Sequence, residues 1–381
     1  MAYLNDPYAA NFVRYPRARI VLNNGTVLPS PISFDVTTTN NLTADKFNVS
    51  FALDSDATHN INWWSTQTSL LFDIQLGFIP AGGNENSTLS YTSILQGNVD
   101  DIDIAANGRT IRCSGRDLSS NFIDTKVILC FQNMTSSAIV AQFANEYGMQ
   151  TDIDPTTLPV GRFYAQDHTN INNGEFSTAK TEWDFMCYLA RKEGYDLYVT
   201  GTTLHFKQAV NETNPGSAGT WSAVAPQMGV PSNGVSVWTN TNNIDGLMLK
   251  RSLTLGTNIK VTVQGWHSKT GKNFTATAER TKSTSTKTQN YVLNVRNLST
   301  ADAQALANSY LKDITAHELQ VSFGAPGDLS LTARSLVQLS NTNSAFDTTY
   351  FIDSVQFGWS NSGFRMNVKA KNHTTATETT V

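Results

Sequence analysis

The sequence predicts a mainly β chain with an α+β insert, arranged as two β-barrel domains around a small α/β domain. Three observations carry this reading. Short alternating runs, separated by Asn, Gly and Pro turns, fill residues 18–118 and return over 247–372. Between them, at 119–208, the periodicity becomes that of amphipathic helices followed by a hairpin. The two β-regions also close alike. Leu95-x-Gly97-x-Val99-x-x-Ile102 turns into Ile111-x-Cys113, and Tyr350-x-Ile352-Asp353-x-Val355-x-Phe357-x-Trp359 turns through 360–363 into Phe364-x-Met366-x-Val368. Such an echo points to two similar barrels, and three copies of a chain so built make a ring of pseudo-sixfold symmetry.

Each element follows from local chemistry. Residues 1–17 read as an arm, aromatic at Tyr3, Tyr8, Phe12 and Tyr15 and basic near its end. Asn24-Gly25 joins the first two short strands, and alternating runs follow at 32–38, 46–53 and 70–78. Runs at 94–104 and 109–114 flank the turn Ala106-Asn107-Gly108. Gly115–Ser120 reads as a break where the chain leaves the barrel for the insert, with Arg116 and Asp117 as a structural salt link at that junction. Trp63 and Trp64 read as core or, alternatively, as an exposed interface anchor.

In the insert, Thr135 caps a helix stopped by Gly148, and a second helix runs from about Thr181 to Glu193 and is ended by Gly194, before a hairpin at 195–206. Residues 209–246 are rich in Asn, Gly, Ser, Thr and Pro and read as an extended linker. Strands resume at 247–255, and 259–265 pairs with 274–278. Residues 281–290 read as a polar loop. Ser299 and Asp302 form a capping box for a third helix at 301–317, with Leu306, Ala307, Tyr310, Leu311 and Ile314 as its apolar stripe. Strands at 318–323, 335–339, 349–358 and 364–370 complete the second barrel, and 373–381 is a flexible tail.

Composition narrows the function. Charged residues are 15% of the chain, below the usual quarter, and polarity comes from Asn, Thr and Ser, which suits strands, turns and surfaces that pack on other chains. The net charge of −4 selects neither nucleic acid nor an anionic membrane. The apolar contexts of Cys113, Cys130 and Cys187 read as buried free thiols. Residues 1–20 lack the apolar core of a signal peptide, and no run reaches the ~18 apolar residues of a membrane helix, so no membrane insertion is expected. The six histidines show no metal spacing, and His205 reads as strand filler. Neither the nucleophile-elbow nor the phosphate-loop motif occurs. Asp100, Asp101 and Asp103, like Asp152 and Asp154, read as solvated carboxylates. The expectation is no catalytic residues, no metal and no cofactor. Residues 250–296 hold nine basic residues and one acid, Glu279, a net of +8, read as a solvated face, a docking surface for an acidic partner or a nucleic-acid-facing patch.

The order of motifs resembles the tail-hub proteins of contractile-tailed phages, including the Mu-like baseplate hub and the P2-like late control protein family. The resemblance rests on Gly97-Asn98-Val99-Asp100, Ile111–Ser120, the helix 135–148, the segment 181–204, Val261–Trp266, the helix 301–311 and the closing hairpin 350–366. It spans residues 18–370 and does not extend over 210–246. It implies tube-like barrels in a homotrimeric ring of the virion baseplate, made in the host cytoplasm. That ring adapts a sixfold tail tube to a threefold spike and passes DNA as cargo during ejection. The implied partners are the tail spike protein, the tail tube or its adaptor, the baseplate wedge proteins and the tape measure protein. Two alternatives are the hub part of a type VI-like secretion or other contractile injection spike, and an adhesive or carbohydrate-binding β-protein.

Overall fold

The computed structural model describes residues 16–40, 42–53, 57–78, 88–105, 107, 109–126, 129–157, 159–165, 168–172, 181–209, 219–225, 243–267, 270–281, 287–296, 298–315 and 317–372. The expected arm, apart from Pro16 and Arg17, and the tail at 373–381 lie outside these residues.

The first β-unit contains β1 (Arg17–Leu22), β2 (Ser33–Thr39), β3 (Lys46–Ala52), a helical turn α1 (Ile61–Ser65), β4 (Leu71–Phe78), β5 (Ser90–Ala105) and β6 (Thr110–Asp117). The insert holds α2 (Ser120–Asp124), β7 (Cys130–Gln132), α3 (Ser136–Glu146), β8 (Gln150–Ile153), β9 (Arg162–Ala165), β10 (His168–Asn172), α4 (Glu182–Glu193), β11 (Tyr195–Thr200) and β12 (Thr203–Gln208). Next come β13 (Thr220–Val224), β14 (Asp245–Arg251), β15 (Asn258–His267), β16 (Lys272–Arg280), β17 (Thr288–Asn294) and α5 (Thr300–Thr315). The chain closes with β18 (Leu319–Pro326), β19 (Leu336–Ser340), β20 (Thr349–Ser360) and β21 (Gly363–Asn372).

Among the described residues, twelve strands join in one sheet, and its pairing repeats. The first half runs β1-β4-β5-β6-β3-β2 across the sheet, and the second runs β13-β19-β20-β21-β18-β14. Taken in chain order, both halves follow the spatial order first, fourth, fifth, sixth, third, second. One difference is that β1 pairs antiparallel with β4 whereas β13 pairs parallel with β19. The halves join where β2 lies antiparallel on β20, with Phe34 opposite Trp359 and Val36 opposite Phe357. Both bury their alternate residues in one core, which includes Phe47, Val49, Phe72 and Ile74 from the first half and Phe323, Tyr350, Val355 and Val368 from the second. Removing these side chains from water, at ~25 cal/mol per Å² of apolar surface, binds the halves to each other as well as within themselves.

The insert has its own core, built from Ile139, Val140 and Phe143 of α3, Phe185, Met186 and Leu189 of α4, and Leu204 and Phe206 of β12. Thr135 and Thr181 accept hydrogen bonds from the amides of Ala138 and Asp184 at the two helix starts. A third core lies between α5 and the sheet β16-β15-β17, with Val261, Val263 and Ala276 against Ala303, Ala307 and Leu311. The capping box forms: the Ser299 hydroxyl donates to Asp302 at 2.8 Å and accepts its amide at 3.1 Å.

Several expectations are corrected. The strand does not break at Gly115: β6 continues to Asp117, because Gly115 lets β5 come close, where a Cβ would meet the Asn98 carbonyl at 2.1 Å. The supposed linker 209–246 contains β13, whose partner β19 supplies the missing ladder. The polar loop 281–290 gives way at Thr288 to β17, whose Tyr291-Val292-Leu293 is the strand signal. Cys130 is exposed, because in β7 Phe131 takes the inward position; Cys113 and Cys187 are buried. Trp64 is core and Trp63 only partly buried, while Tyr310 stands 42% exposed beside the stripe of α5.

Candidate functional site: a polar junction between the β-halves and the insert

Three separate parts of the sequence meet at Arg334, which precedes β19. Its Nη1 donates to the Thr39 carbonyl and to Asn40 Oδ1, both at 2.7 Å, at the end of β2. Its guanidinium lies 4.0 Å from the ring centroid of Tyr198 in β11. Burial holds this arginine below its usual pKa; Asp45, Asp196, Tyr198 and Asp117 oppose that shift. So a single cation ties the end of β2, the insert and the second β-half. Stacking and desolvated hydrogen bonds of this kind suit a planar guanidinium better than an ammonium.

Two carboxylates stand on the first-half side. Asp45 accepts the Thr39 amide at 2.7 Å. Asp117, at the end of β6, accepts the Ser119 hydroxyl at 2.5 Å and the Ser119 amide at 3.2 Å, and its own amide donates to the Asp45 carbonyl. Burial pushes Asp45 up to about 7, with the negative charge of Asp117 adding to it and the Thr39 amide opposing it. Burial likewise pushes Asp117 up to about 6, against its hydrogen bonds from Ser119. Desolvation outweighs the nearby arginine, so the pair takes up protons close to neutrality.

Tyr198 passes the contact onward. His205 of β12 stacks on it at 4.5 Å, and His205 Nδ1 lies 3.0 Å from Asp152 in β8. Lys207 donates to Asp152 at 2.7 Å and pairs with Asp154 at 3.2 Å. Asp152 is held below its usual range by Lys207 first and His205 second. Asp152 and Asp154, read from the sequence as solvated carboxylates, thus hold side chains of their own sheet, and His205 is a stacking member of the junction. Among the described residues, no group of three His, Cys, Asp or Glu side chains is placed to hold a metal ion.

Arg116 and Asp117 act separately. Arg116 Nε and Nη2 grip Asp100 at 2.7 and 2.8 Å, and Nη1 and Nη2 reach Asp124 at 3.1 and 2.9 Å. Arg116 does form a salt link at the junction, but with Asp100 and Asp124 and not with the expected Asp117, and it clamps α2 to the β5–β6 hairpin. Asp117 lies on the other side of the strand. On the insert side, Trp183 Nε1 donates to the Leu42 carbonyl at 2.9 Å, which seats α4 on the loop before β3.

Three of the nine basic residues of 250–296, Arg251, Lys260 and Arg280, are paired with acids within the fold. Arg280 is buried with Glu318, Nη1 to Oε2 at 3.0 Å, and Arg251 reaches the same carboxylate at 3.4 Å. Lys260 pairs with Glu279 across β15 and β16. The sequence could not show this, because Glu318 lies outside the segment.

No family model and no curated protein matches the sequence. Solved structures do match the fold. A tail protein from Neisseria meningitidis MC58 superposes with a TM-score of 0.67 at 14% identity, over 94% of this chain and 96% of that one. The chain has the fold of phage tail proteins. The 43 kDa tail protein of prophage MuSo2 from Shewanella oneidensis gives 0.65 at 13% identity, over 93% and 98%. A chain of the Francisella PdpA–VgrG complex gives 0.53 at 12%, over 96% of this chain and 59% of that one. The tail-protein fold, mainly β with its longer helices in the insert and at α5, is the one the sequence predicts.

Proposed function

We propose that the protein is a structural hub of a contractile phage tail, a homotrimeric ring that adapts the sixfold tube to the threefold spike and encloses the path of ejected DNA. The observation that carries this reading is the duplicated β-unit: one chain supplies two copies of the same six-strand order, already joined by β2 on β20. Three chains then present six similar units to a tube and threefold symmetry to a spike. The fold it shares with tail proteins supports the same reading. Its partners in this role are the spike, tube or adaptor, wedge and tape measure proteins, and its place is the virion.

A second reading, the hub part of a contractile injection spike, is favoured by the likeness to a chain of the PdpA–VgrG complex. Light scattering on the purified chain, alone and mixed with the spike protein, tests the first reading. The expected masses are those of a trimer and of a spike-bound trimer. A chain that stays monomeric in both refutes it.

A further inference from the structure

We propose that the ring closes through one defined seam: β14 of one copy pairs antiparallel with residues 101–105 of β5 in the next, with Lys250 opposite Asp103. This rests on the ring reading above and names the partner of each open edge as a second copy of the chain, met head to tail.

The chain already makes one such contact internally. β2 stands last in the first half, yet it is not an edge, because it pairs with residues 354–360 of β20. β14 holds the same place in the second half, and among the described residues no strand lies beyond it. β5 corresponds to β20. β4 covers β5 only as far as Asn98, and past that point, among the described residues, β5 pairs with β6 alone. Among the described residues, one half therefore offers a docking strand with no receptor, and the other a receptor with no strand.

The register follows from matched irregularities. β5 carries a bulge between Val99 and Asp101, and β20 carries one between Ile352 and Ser354. Each bulge holds an acid paired to a base on the neighbouring strand, Asp100 with Arg116 and Asp353 with Lys371. The bulges set Ile102, Asp103 and Ile104 equivalent to Val355, Gln356 and Phe357. Cys113 opposite Ile102 matches Val368 opposite Val355. Val49 opposite Cys113 then matches Phe323 opposite Val368. Phe47 follows as Val321, and Val36 opposite Phe47 matches Leu249 opposite Val321. Since Val36 faces Phe357 and Thr37 faces Gln356, Leu249 faces Ile104 and Lys250 faces Asp103 in the next copy.

The side chains suit this register. Val36 and Phe357 are buried where the halves meet, whereas Leu249 and Ile104 are half-buried, as are Leu247 and Ile102. Asp101 and Asp103 stand exposed on the β5 edge, Lys250 and Arg251 on the β14 edge. Opposite charges meet only head to tail; like edges together would oppose like charges, which is destabilising. Heterologous contacts of this kind close into rings when the rotation permits.

The test is cross-linking between copies. In a Cys130→Ser background, Lys250→Cys combined with Asp103→Cys is oxidised and read on a non-reducing gel. The expected product is a covalent ladder ending at the trimer; either cysteine alone gives none. Separately, Lys250→Glu and Asp103→Lys should each weaken association by roughly tenfold, and the double reversal should restore it. Lys250 and Asp103 are exposed, so an unchanged circular dichroism spectrum verifies folding of each variant. A trimer that forms without the cross-link and ignores both charge changes overturns the seam and leaves the hub reading standing. A chain monomeric with and without its spike overturns both.

Discussion

Replacing Asp45 with Asn isolates the electrostatic cost of the junction. Asn keeps an Oδ1 to accept the Thr39 amide and removes the charge. In the folded chain the carboxyl is raised from 3.8 to about 7, mainly by burial. A group raised on folding stabilises while protonated in both states and loses that contribution as pH rises through its folded value. Stability is therefore fully present below pH 3.8, falls between there and about 7, and is flat above. The full shift corresponds to ~4 kcal/mol. Asp45 keeps a partly solvated edge and is coupled to Asp117, so ~2–3 kcal/mol is the expected effect. Urea unfolding followed by circular dichroism at pH 4, 5, 6, 7 and 8 measures it. Wild type and Asp45→Asn should coincide near pH 4, and the variant should be more stable by ~2–3 kcal/mol at pH 8. A variant that is equally or less stable at pH 8, or that differs by the same amount at every pH, refutes the reasoning.

Other perturbations bear on the same architecture. Arg334→Met strands the Thr39 carbonyl and leaves Asp45 and Asp117 without their cation; unfolding should be easier by ~3–5 kcal/mol, with the pH dependence extended above pH 7. Gly115→Ala forces a Cβ to within 2.1 Å of the Asn98 carbonyl and 2.5 Å of Phe47 Cζ, so denaturation should show a loss of ~1–3 kcal/mol or more. Thr181→Ala removes the cap of α4 and should cost ~1 kcal/mol, read in the unfolding of the insert.

Much of this fold is legible because local chemistry and tertiary structure agree. Alternation in 46–53 and 70–78 marks strands whose buried face, Phe47, Val49 and Phe51 or Phe72, Ile74 and Leu76, is the one the period selects. Thr135, Thr181 and the Ser299–Asp302 box announce helices that form where they predict. What stays hidden depends on partners distant in sequence. β13 owes its strand state to β19, more than a hundred residues away, and looks like linker without it. Gly115 reads as a breaker because nothing local reveals that another strand's carbonyl fills the space of its missing Cβ. The junction is hidden for the same reason. Arg334, Asp45 and Tyr198 lie in three unrelated stretches, and only folding makes Arg334 a buried cation. A basic residue in a turn carries no sign of that in the sequence.

The bulges explain why the duplicated unit can be joined to another of its kind. Up to the bulge, each long strand follows its own half: β5 lies on β4, and β20 on β19. Past the bulge the strand is free of that neighbour and offers its edge to another half, as β20 does to β2. An extra residue bends a strand and increases its twist, which carries the second part of the strand away from its own half. The acid on each bulge is fixed by a base one strand away, Arg116 or Lys371, so the bend is held in place by charge as well as by the ladder. The grip is firmer in the first half, where Arg116 holds Asp100 by two hydrogen bonds and Asp124 by two more. There the bend stands next to the insert, and β2 does not cover it as it covers β20. A receptor edge that must await a strand from another copy needs its shape set beforehand, because preorganisation lowers the cost of association.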